Sequence, residues 1–152
     1  GALWRYFVDK NDLLAETTAT VVERTNRRAA VMLAGKDGAE AAVTMVEALL
    51  PLEPVSQDEA RIVVGFWGLS ALDPRAEQPG RPEVDAWAAF ISAALTQAVR
   101  SGELVADTPI EALAGLFMSH AVNTQIDYVF SGTINRESAL NPIREVLNTY
   151  LA

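Results

Sequence analysis

Residues 84–102 read VDAWAAFISAALTQAVRSG. Apolar side chains recur in this stretch every three or four positions, which is the spacing of one face of an α-helix. The stretch ends on Ser101-Gly102, and a glycine just after the last periodic residue is a common helix stop. It therefore predicts a helix with one buried face, formed by Val84, Trp87, Ala88, Ile91, Ala94, Leu95 and Ala98.

The same helical pattern extends through the preceding half of the chain, where we find no convincing strand. Asp9 predicts the start of a long helix that ends near Gly35, and Asp37 predicts the start of a second helix, closed by Pro51 and Pro54. Ser56 and Glu59 form a capping-box pattern that opens the stretch 56–72. This stretch is apolar nearly all round, which is typical of a helix in the middle of a bundle. Glycines at 65 and 68 within it suggest close approach by a neighbour, or room for a ligand.

Two further helices follow residue 102. Thr108-Pro109 predicts the start of one that runs to about Phe130 and stops at Gly132. The last carries Pro142 in its first turn or is kinked there, because proline removes a helical hydrogen bond. The stretch 73–83 is rich in proline and glycine and is predicted to be a loop. The fold class is therefore all-α, with about six helices after a short helical stub.

Composition excludes several classes of protein. The chain has 12 basic and 20 acidic residues, a formal net charge of −8, which disfavours binding of a polyanion by this stretch itself. Arg24, Arg27 and Arg28 are interpreted as a solvated helix face. No cysteine is present, which excludes disulfides and thiolate metal sites and fits the reducing cytoplasm, where we expect the protein to reside. No apolar stretch reaches the length of a membrane span, and no export leader opens the chain.

The opening residues GALWRYFVDKNDLL resemble the end of a TetR-family helix-turn-helix. In that family a recognition helix ends in a pattern of the type G-x-L-Y-x-H-F, and a lysine with an acidic residue then opens a long connecting helix. Trp4 stands here at the usual tyrosine position and Tyr6 at the usual histidine position. The resemblance implies that Trp4, Tyr6 and Lys10 contact the DNA backbone. The alternative is purely structural: Leu3 and Phe7 are four residues apart and would pack as core residues, and Trp4 could be a hydrophobic staple.

Two later segments are similar to the C-terminal domain of BetI-like members of the family: the segment 51–74 and the stretch VRSGEL at 99–104. The resemblance implies two parts, with residues 1–10 as the remnant of an N-terminal helix-turn-helix domain and residues 11–152 as a ligand-binding and dimerisation domain. The base-reading half of the recognition helix would then precede Gly1, so we expect a longer protein whose present stretch binds DNA poorly by itself.

In this family a small molecule enters the C-terminal core and moves the connecting helix. Aromatic and polar side chains that are able to line such a pocket are Phe66, Trp67, Trp87, Ile91, Phe117, His120, Asn123 and Thr124. Each aromatic residue is equally compatible with ordinary core packing. His120, the single histidine, is first interpreted as a satisfied interior or interface residue, second as a ligand anchor, and third as a metal ligand. We predict no metal site and no cofactor.

Family members dimerise by joining their last two helices into a four-helix bundle. The resemblance implies a homodimer interface formed by Val122, Ile126, Val129, Phe130, Leu140, Ile143, Val146, Leu147 and Tyr150. The alternative is that the last helix only covers its own domain.

These expectations combine into one functional prediction. The protein is a ligand-responsive transcriptional repressor that binds operator DNA as a homodimer and is released by a small-molecule effector. An enzyme is disfavoured because the chain offers no phosphate loop, no cysteine and no paired carboxylates at catalytic spacing. The other alternative is a helical small-molecule-binding or dimerisation module with no DNA role.

Overall fold

The computed structural model describes residues 1–72 and 81–152, and for residues 3, 4 and 6–11 it describes the backbone alone. Within these ranges the chain forms six α-helices and no β-strand, so the predicted all-α fold class is confirmed. None of the described helices is both long enough and apolar enough to span a membrane. The helices are α1 Ala2–Leu33, α2 Gly38–Leu49, α3 Pro54–Ala71, α4 Arg81–Arg100, α5 Ile110–Ser131 and α6 Arg136–Asn148.

Helix α2 lies at the centre of the molecule. It packs against α1, α4, α5 and α6, and nine of its 12 residues are buried. Several of these are alanines, whose short side chains let neighbouring helices approach closely while Met45, Val46 and Leu49 fill the spaces between them. The largest core side chains around α2 come from the other helices and include Ile91, Leu95, Phe117, Leu140 and Ile143.

The N-terminal end of α2 is held by the loop that follows α4. The Ala39 amide donates a hydrogen bond to Glu103 Oε2 at 3.1 Å, so a distant carboxylate satisfies one of the helix's free N–H groups. The same loop pairs with the C-terminus, where the Val105 amide donates to the Tyr150 carbonyl at 2.9 Å. This loop therefore ties together the start of α2, the end of α4 and the end of the chain.

Helix α1 differs from its prediction. We expected a short stub, a turn, and then a new helix at Asp9, but residues 2–33 form one continuous helix. The stretch 7–12 contains neither proline nor glycine, the residues that most often interrupt a helix. Asp9 can cap the start of a helix, but it does not interrupt a helix that already passes through it. The predicted domain boundary after residue 10 therefore falls inside α1, and the division into two domains stays a prediction.

Helix α3 was predicted to lie in the middle of the bundle, and this was wrong. It packs against α1 and α5 at the edge of the molecule, and Ile62 and Leu69 are exposed. Its start was also misplaced: Pro54 opens α3 at the first helical position, because its fixed φ suits that position. No residue that the structure describes lies within 4 Å of a methyl group placed at Gly65 or Gly68, so close packing by a described neighbour does not explain these glycines.

Candidate functional site

A cavity of about 360 Å³ lies between α1, α3, α4 and α5, with the end of α2 contributing Leu49. Its walls are mainly apolar and include a few polar groups, which is the usual composition of a small-molecule site. The edge position of α3 creates this space, because α3 packs on α1 and α5 and leaves room between itself and α4. The cavity is therefore our candidate functional site.

One face of α1 forms one wall. Thr18, Val21, Thr25 and Arg28 follow each other at intervals of three or four residues, so their side chains project from one side of the helix. The Thr18 hydroxyl donates to the carbonyl of Leu14 at 2.8 Å, which leaves its methyl group as wall surface. Any molecule in the cavity therefore contacts the helix that carries the opening motif.

Aromatic side chains from α3 and α4 form another part of the wall. Phe66 and Trp67 come from α3, and Trp87 comes from α4. The indole nitrogen of Trp87 donates to Asn26 Oδ1 at 2.8 Å, and this bond holds α4 to α1 beside the cavity. These rings supply large apolar contact surfaces with few rotatable bonds.

Arg28 and Glu59 form a polar corner in this apolar cavity. Arg28 Nη1 donates to Glu59 Oε2 at 3.1 Å, its Nε donates to the Ala48 carbonyl at 3.0 Å, and its Nη2 donates to Thr25 Oγ1 at 3.3 Å. One guanidinium thus links α1, α2 and α3, because its planar shape directs several N–H groups at fixed angles. We call the group Thr25, Arg28 and Glu59 the polar corner.

Gln125 adds a further polar contact next to this corner. Its side-chain amide donates to the Leu49 carbonyl at 3.0 Å, and Gln125 also lines the cavity. With Arg28 on the Ala48 carbonyl, two cavity residues satisfy the free carbonyls at the C-terminal end of α2. The end of the central helix is therefore held by side chains that a bound molecule would touch.

Comparison with known protein families identifies the family of this chain. A family model of the C-terminal domain of BetI-type transcriptional repressors matches residues 38–120, which is more than half of the chain. The chain belongs to this family. The match runs from the start of α2 into α5, and it confirms the TetR-family, BetI-like resemblance inferred from the sequence. No curated protein matches the chain.

The cavity of this BetI-type domain brings together three of the eight side chains predicted to line a pocket: Phe66, Trp67 and Trp87. Ile91 and Phe117 instead lie fully buried in the core around α2. Both are apolar residues on faces of α4 and α5 that turn towards α2, and the closed core leaves no space beside them.

The other three predicted pocket residues lie on parts of α5 that do not line the cavity. His120 Nε2 lies 2.6 Å from the Ala139 carbonyl of α6, and because a carbonyl can only accept, Nε2 carries the hydrogen. The Thr124 hydroxyl donates to the His120 carbonyl at 2.8 Å, and Asn123 is exposed. His120 is thus half-buried, and its Nε2 is satisfied by α6, which is compatible with the first of its three interpretations.

The predicted dimer residues are distributed differently from the expected stripe. Leu140, Ile143 and Leu147 are buried within the protomer's own core, with Val146 and Tyr150 packed beside them. Leu140, Ile143 and Leu147 are therefore unavailable to a partner, whereas Val146 and Tyr150 are half-buried, and the dimer interface stays a prediction. The α5 residues Val122, Ile126 and Val129 are half-buried, Val122 lines the cavity, and Phe130 is 83% exposed.

The three predicted DNA contacts, Trp4, Tyr6 and Lys10, lie outside the side chains that the structure describes. The backbone at these positions belongs to α1. Their contact with DNA stays a prediction.

Sequence reasoning missed the polar corner. Arg28 was interpreted as part of a solvated face, and Glu59 was interpreted as a capping residue. One signal was present: Glu59 is seven residues before Phe66 and therefore lies on the same helix face as that aromatic ring. When a charged residue lies on the same helix face as the aromatic residues, it is expected to be buried and therefore to have a polar or charged partner.

Proposed function

We propose that this domain is the effector-sensing part of a dimeric transcriptional repressor, which a small molecule in the cavity releases from operator DNA. The observation that carries the proposal is the position of α1. The helix forms one wall of the cavity between residues 18 and 28, and it continues without interruption to the residues that resemble the end of a helix-turn-helix. Family membership supports regulation as the role of the domain.

The length of α1 makes it suitable for transmitting a change. A helix of 32 residues is about 48 Å long at 1.5 Å per residue. The cavity contacts lie in its second half, so a small tilt there becomes a larger displacement at its N-terminal end. A regulator needs such a tilt to have two stable positions, of which the effector favours one.

The polar corner is the link through which a bound molecule would act on α1. Arg28 holds α1 to the end of α2 and to α3 through separate hydrogen bonds. A molecule that contacts Glu59 or displaces α3 changes the geometry of these bonds and therefore the angle of α1. Only a molecule that binds the two positions with different affinity shifts the equilibrium between them.

The proposal is tested with a gel-shift assay on the intact protein, using the DNA upstream of its own gene and a panel of small amphipathic molecules. We expect a shift at low salt that an effector from the panel reverses. No shift at low salt by the intact protein removes the regulatory function and favours a small-molecule-binding module without a DNA role.

A pair of neighbouring variants tests whether the cavity is the effector site. Val63 lines the cavity, whereas Val64 is half-buried beside it without lining it. In Val63→Phe the larger ring occupies space that an effector needs, so the response to effector should weaken by at least about tenfold. Val64→Phe adds the same volume to the same helix and should respond as the wild type does. Equal responses in both variants contradict the assignment of the site.

A further inference from the structure

Glu59 has an unused hydrogen-bond acceptor beside the cavity. The residue is 4% exposed and lines the cavity, and its Oε2 accepts from Arg28. Its other carboxylate oxygen, Oε1, is buried and receives no hydrogen bond from any residue that the structure describes. Leaving a buried acceptor unpaired is unfavourable, more so for a charged group. A ligand group that reaches this oxygen from the cavity therefore gains a hydrogen bond that the described part of the protein does not supply.

The donors around this acceptor are largely used within the protein. Arg28 divides its N–H groups among Ala48, Glu59 and Thr25. The amide of Gln125 and the indole N–H of Trp87 also donate to protein oxygens. Arg28 keeps two further N–H groups, but its side chain is 24% exposed, so these can be hydrated. The buried group of the polar corner that lacks a partner is thus the acceptor Glu59 Oε1, and the ligand group that complements it is a donor.

The rest of the cavity defines the other end of the ligand. Phe66, Trp67 and Trp87 form an apolar part of the cavity wall, which suits a hydrocarbon or aromatic body. A ligand carboxylate has no hydrogen to donate to Oε1, and it would bring a second negative charge beside Glu59, whose own charge Arg28 already balances. Among ligands that have the same apolar body, the site is therefore expected to prefer those whose polar end carries a hydrogen-bond donor.

We propose that the effector is an amphipathic molecule with an apolar body and one terminal hydrogen-bond donor, a hydroxyl or a protonated amine, which Glu59 Oε1 accepts. This inference rests on the proposed function in taking the cavity as the effector site, and it adds the chemical class of the effector. Through the bond between Glu59 and Arg28, the donor of the ligand acts on the group that holds α1.

The test compares four probes with the same eight-carbon body: octan-1-ol, octylammonium, octanoate and octyltrimethylammonium. The first two carry a donor, the third carries a negative charge, and the fourth carries a positive charge without any N–H or O–H group. Binding is measured by calorimetry and by the fluorescence of Trp67 and Trp87, which line the cavity. A hydrogen bond to a charged group makes binding of the two donors at least about tenfold tighter than that of the other two probes.

Glu59→Gln reverses this preference without changing the size of the side chain. The amide oxygen still accepts from Arg28, and the amide NH₂ takes the place of Oε1 and is a donor. Octan-1-ol and octylammonium should then lose about tenfold in affinity, and octanoate should gain. The matched control is Asp58→Asn, which removes the same charge one residue away, where the side chain is exposed and paired with Arg61. It should bind all four probes as the wild type does.

The outcomes separate this inference from the proposed function. Octanoate binding the wild type as tightly as octan-1-ol overturns the requirement for a donor and leaves the cavity as an effector site. Octyltrimethylammonium binding as tightly as octylammonium overturns it as well, because the site then selects positive charge. Binding of none of the four overturns the inference together with the cavity as an effector site. A failed gel shift with donor-selective binding intact overturns only the proposed repressor. If Glu59→Gln does not fold, the four probes on the wild-type protein decide alone.

Discussion

Gly38 and Gly65 are helix residues with opposite surroundings. Gly38, the first residue of α2, has a φ of +54°, in the left-handed region that favours glycine. A methyl group there would overlap Oε2 of Glu103, the atom that accepts from the Ala39 amide. Gly65 lies in the interior of α3, and a methyl group there would meet no described residue within 4 Å. The same substitution should therefore have opposite effects at the two positions.

We expect Gly38→Ala to lower the free energy of unfolding by about 1–2 kcal/mol for the left-handed backbone, and further for the displaced Glu103. Gly65→Ala should raise it by about 1 kcal/mol, because alanine loses less backbone entropy in a helix. Urea unfolding at one fixed protein concentration measures both. A Gly38→Ala protein as stable as the wild type would show that the loop after α4 does not hold α2.

The hydrogen bond between His120 and α6 indicates the structural role of this histidine. Its Nε2–H bonds to the carbonyl of Ala139, and Pro142, three residues later, has no N–H to give to the carbonyl of Ser138. The histidine thus donates to the carbonyl next to the one that the proline leaves without its helical donor. His120→Leu should lower the free energy of unfolding by about 1 kcal/mol, whereas His120→Gln, which keeps a donor near the same place, should lose less. Equal losses would mean that the bond contributes nothing and that only packing differs.

At the scale of whole helices, the sequence predicted most accurately those helix ends that a few neighbouring residues determine. Gly132 ends α5 with a φ of +72°, and Asp37 precedes α2, as expected from short-range signals. The position of a helix within the molecule was harder to predict. The apolar surface of α3 indicated a central helix, but α3 lies at the edge, because periodicity states which faces are apolar and not what covers them.

The candidate site shows the same difference between features that the local sequence determines and features that the packing of helices determines. Its aromatic residues were predicted because large rings are conspicuous in any sequence, and three of them do line the cavity. The pair Arg28–Glu59 was missed because its members are 31 residues apart and lie on different helices. Each alone matches a common local role, a solvated arginine or a capping glutamate, and only the packing of α1 against α3 brings them together.

The contribution of Arg28 to helix packing can be measured with a neighbour as control. Arg28→Met removes a partly buried guanidinium, whose side chain is 24% exposed, and leaves Glu59 buried without a partner. We expect a loss of about 3 kcal/mol in the free energy of unfolding, close to the usual cost of breaking a buried pair. Arg27→Met removes the same group from the exposed side of α1 and should cost less than about 0.5 kcal/mol.

A double variant identifies the source of that loss. Arg28→Met with Glu59→Met should recover much of the stability, because a buried charge is no longer left unpaired. If the double variant is less stable than Arg28→Met alone, the guanidinium stabilises the fold mainly through Ala48 and Thr25.

At the scale of the whole molecule, two outward helix surfaces are candidates for contact with a second copy. The outward surface of α3 exposes Ile62 and Leu69 but also carries the charged residues Asp58 and Arg61. The outward surface of α5 exposes Leu116, and the sequence has no Asp, Glu, Lys or Arg from residue 112 to residue 126. Depletion of charge is typical of the centre of an interface. The apolar stripe of α6 is already used inside the protomer, so we expect α5 to supply most of the contact.

A matched pair of substitutions decides between the two surfaces. Leu116 on α5 and Leu69 on α3 are 48% and 43% exposed, so an arginine at either position adds the same charge to a similarly exposed site. If α5 pairs with its counterpart around a two-fold axis, Leu116→Arg places two like charges near each other and weakens the dimer by at least about a hundredfold. Leu69→Arg leaves the dimer as in the wild type. Sedimentation over a range of protein concentrations measures both dissociation constants, and unfolding curves of the monomers check that the fold is kept. Dissociation by Leu69→Arg alone would instead assign the interface to α3, beside the cavity, where a partner would restrain the same helix that an effector displaces.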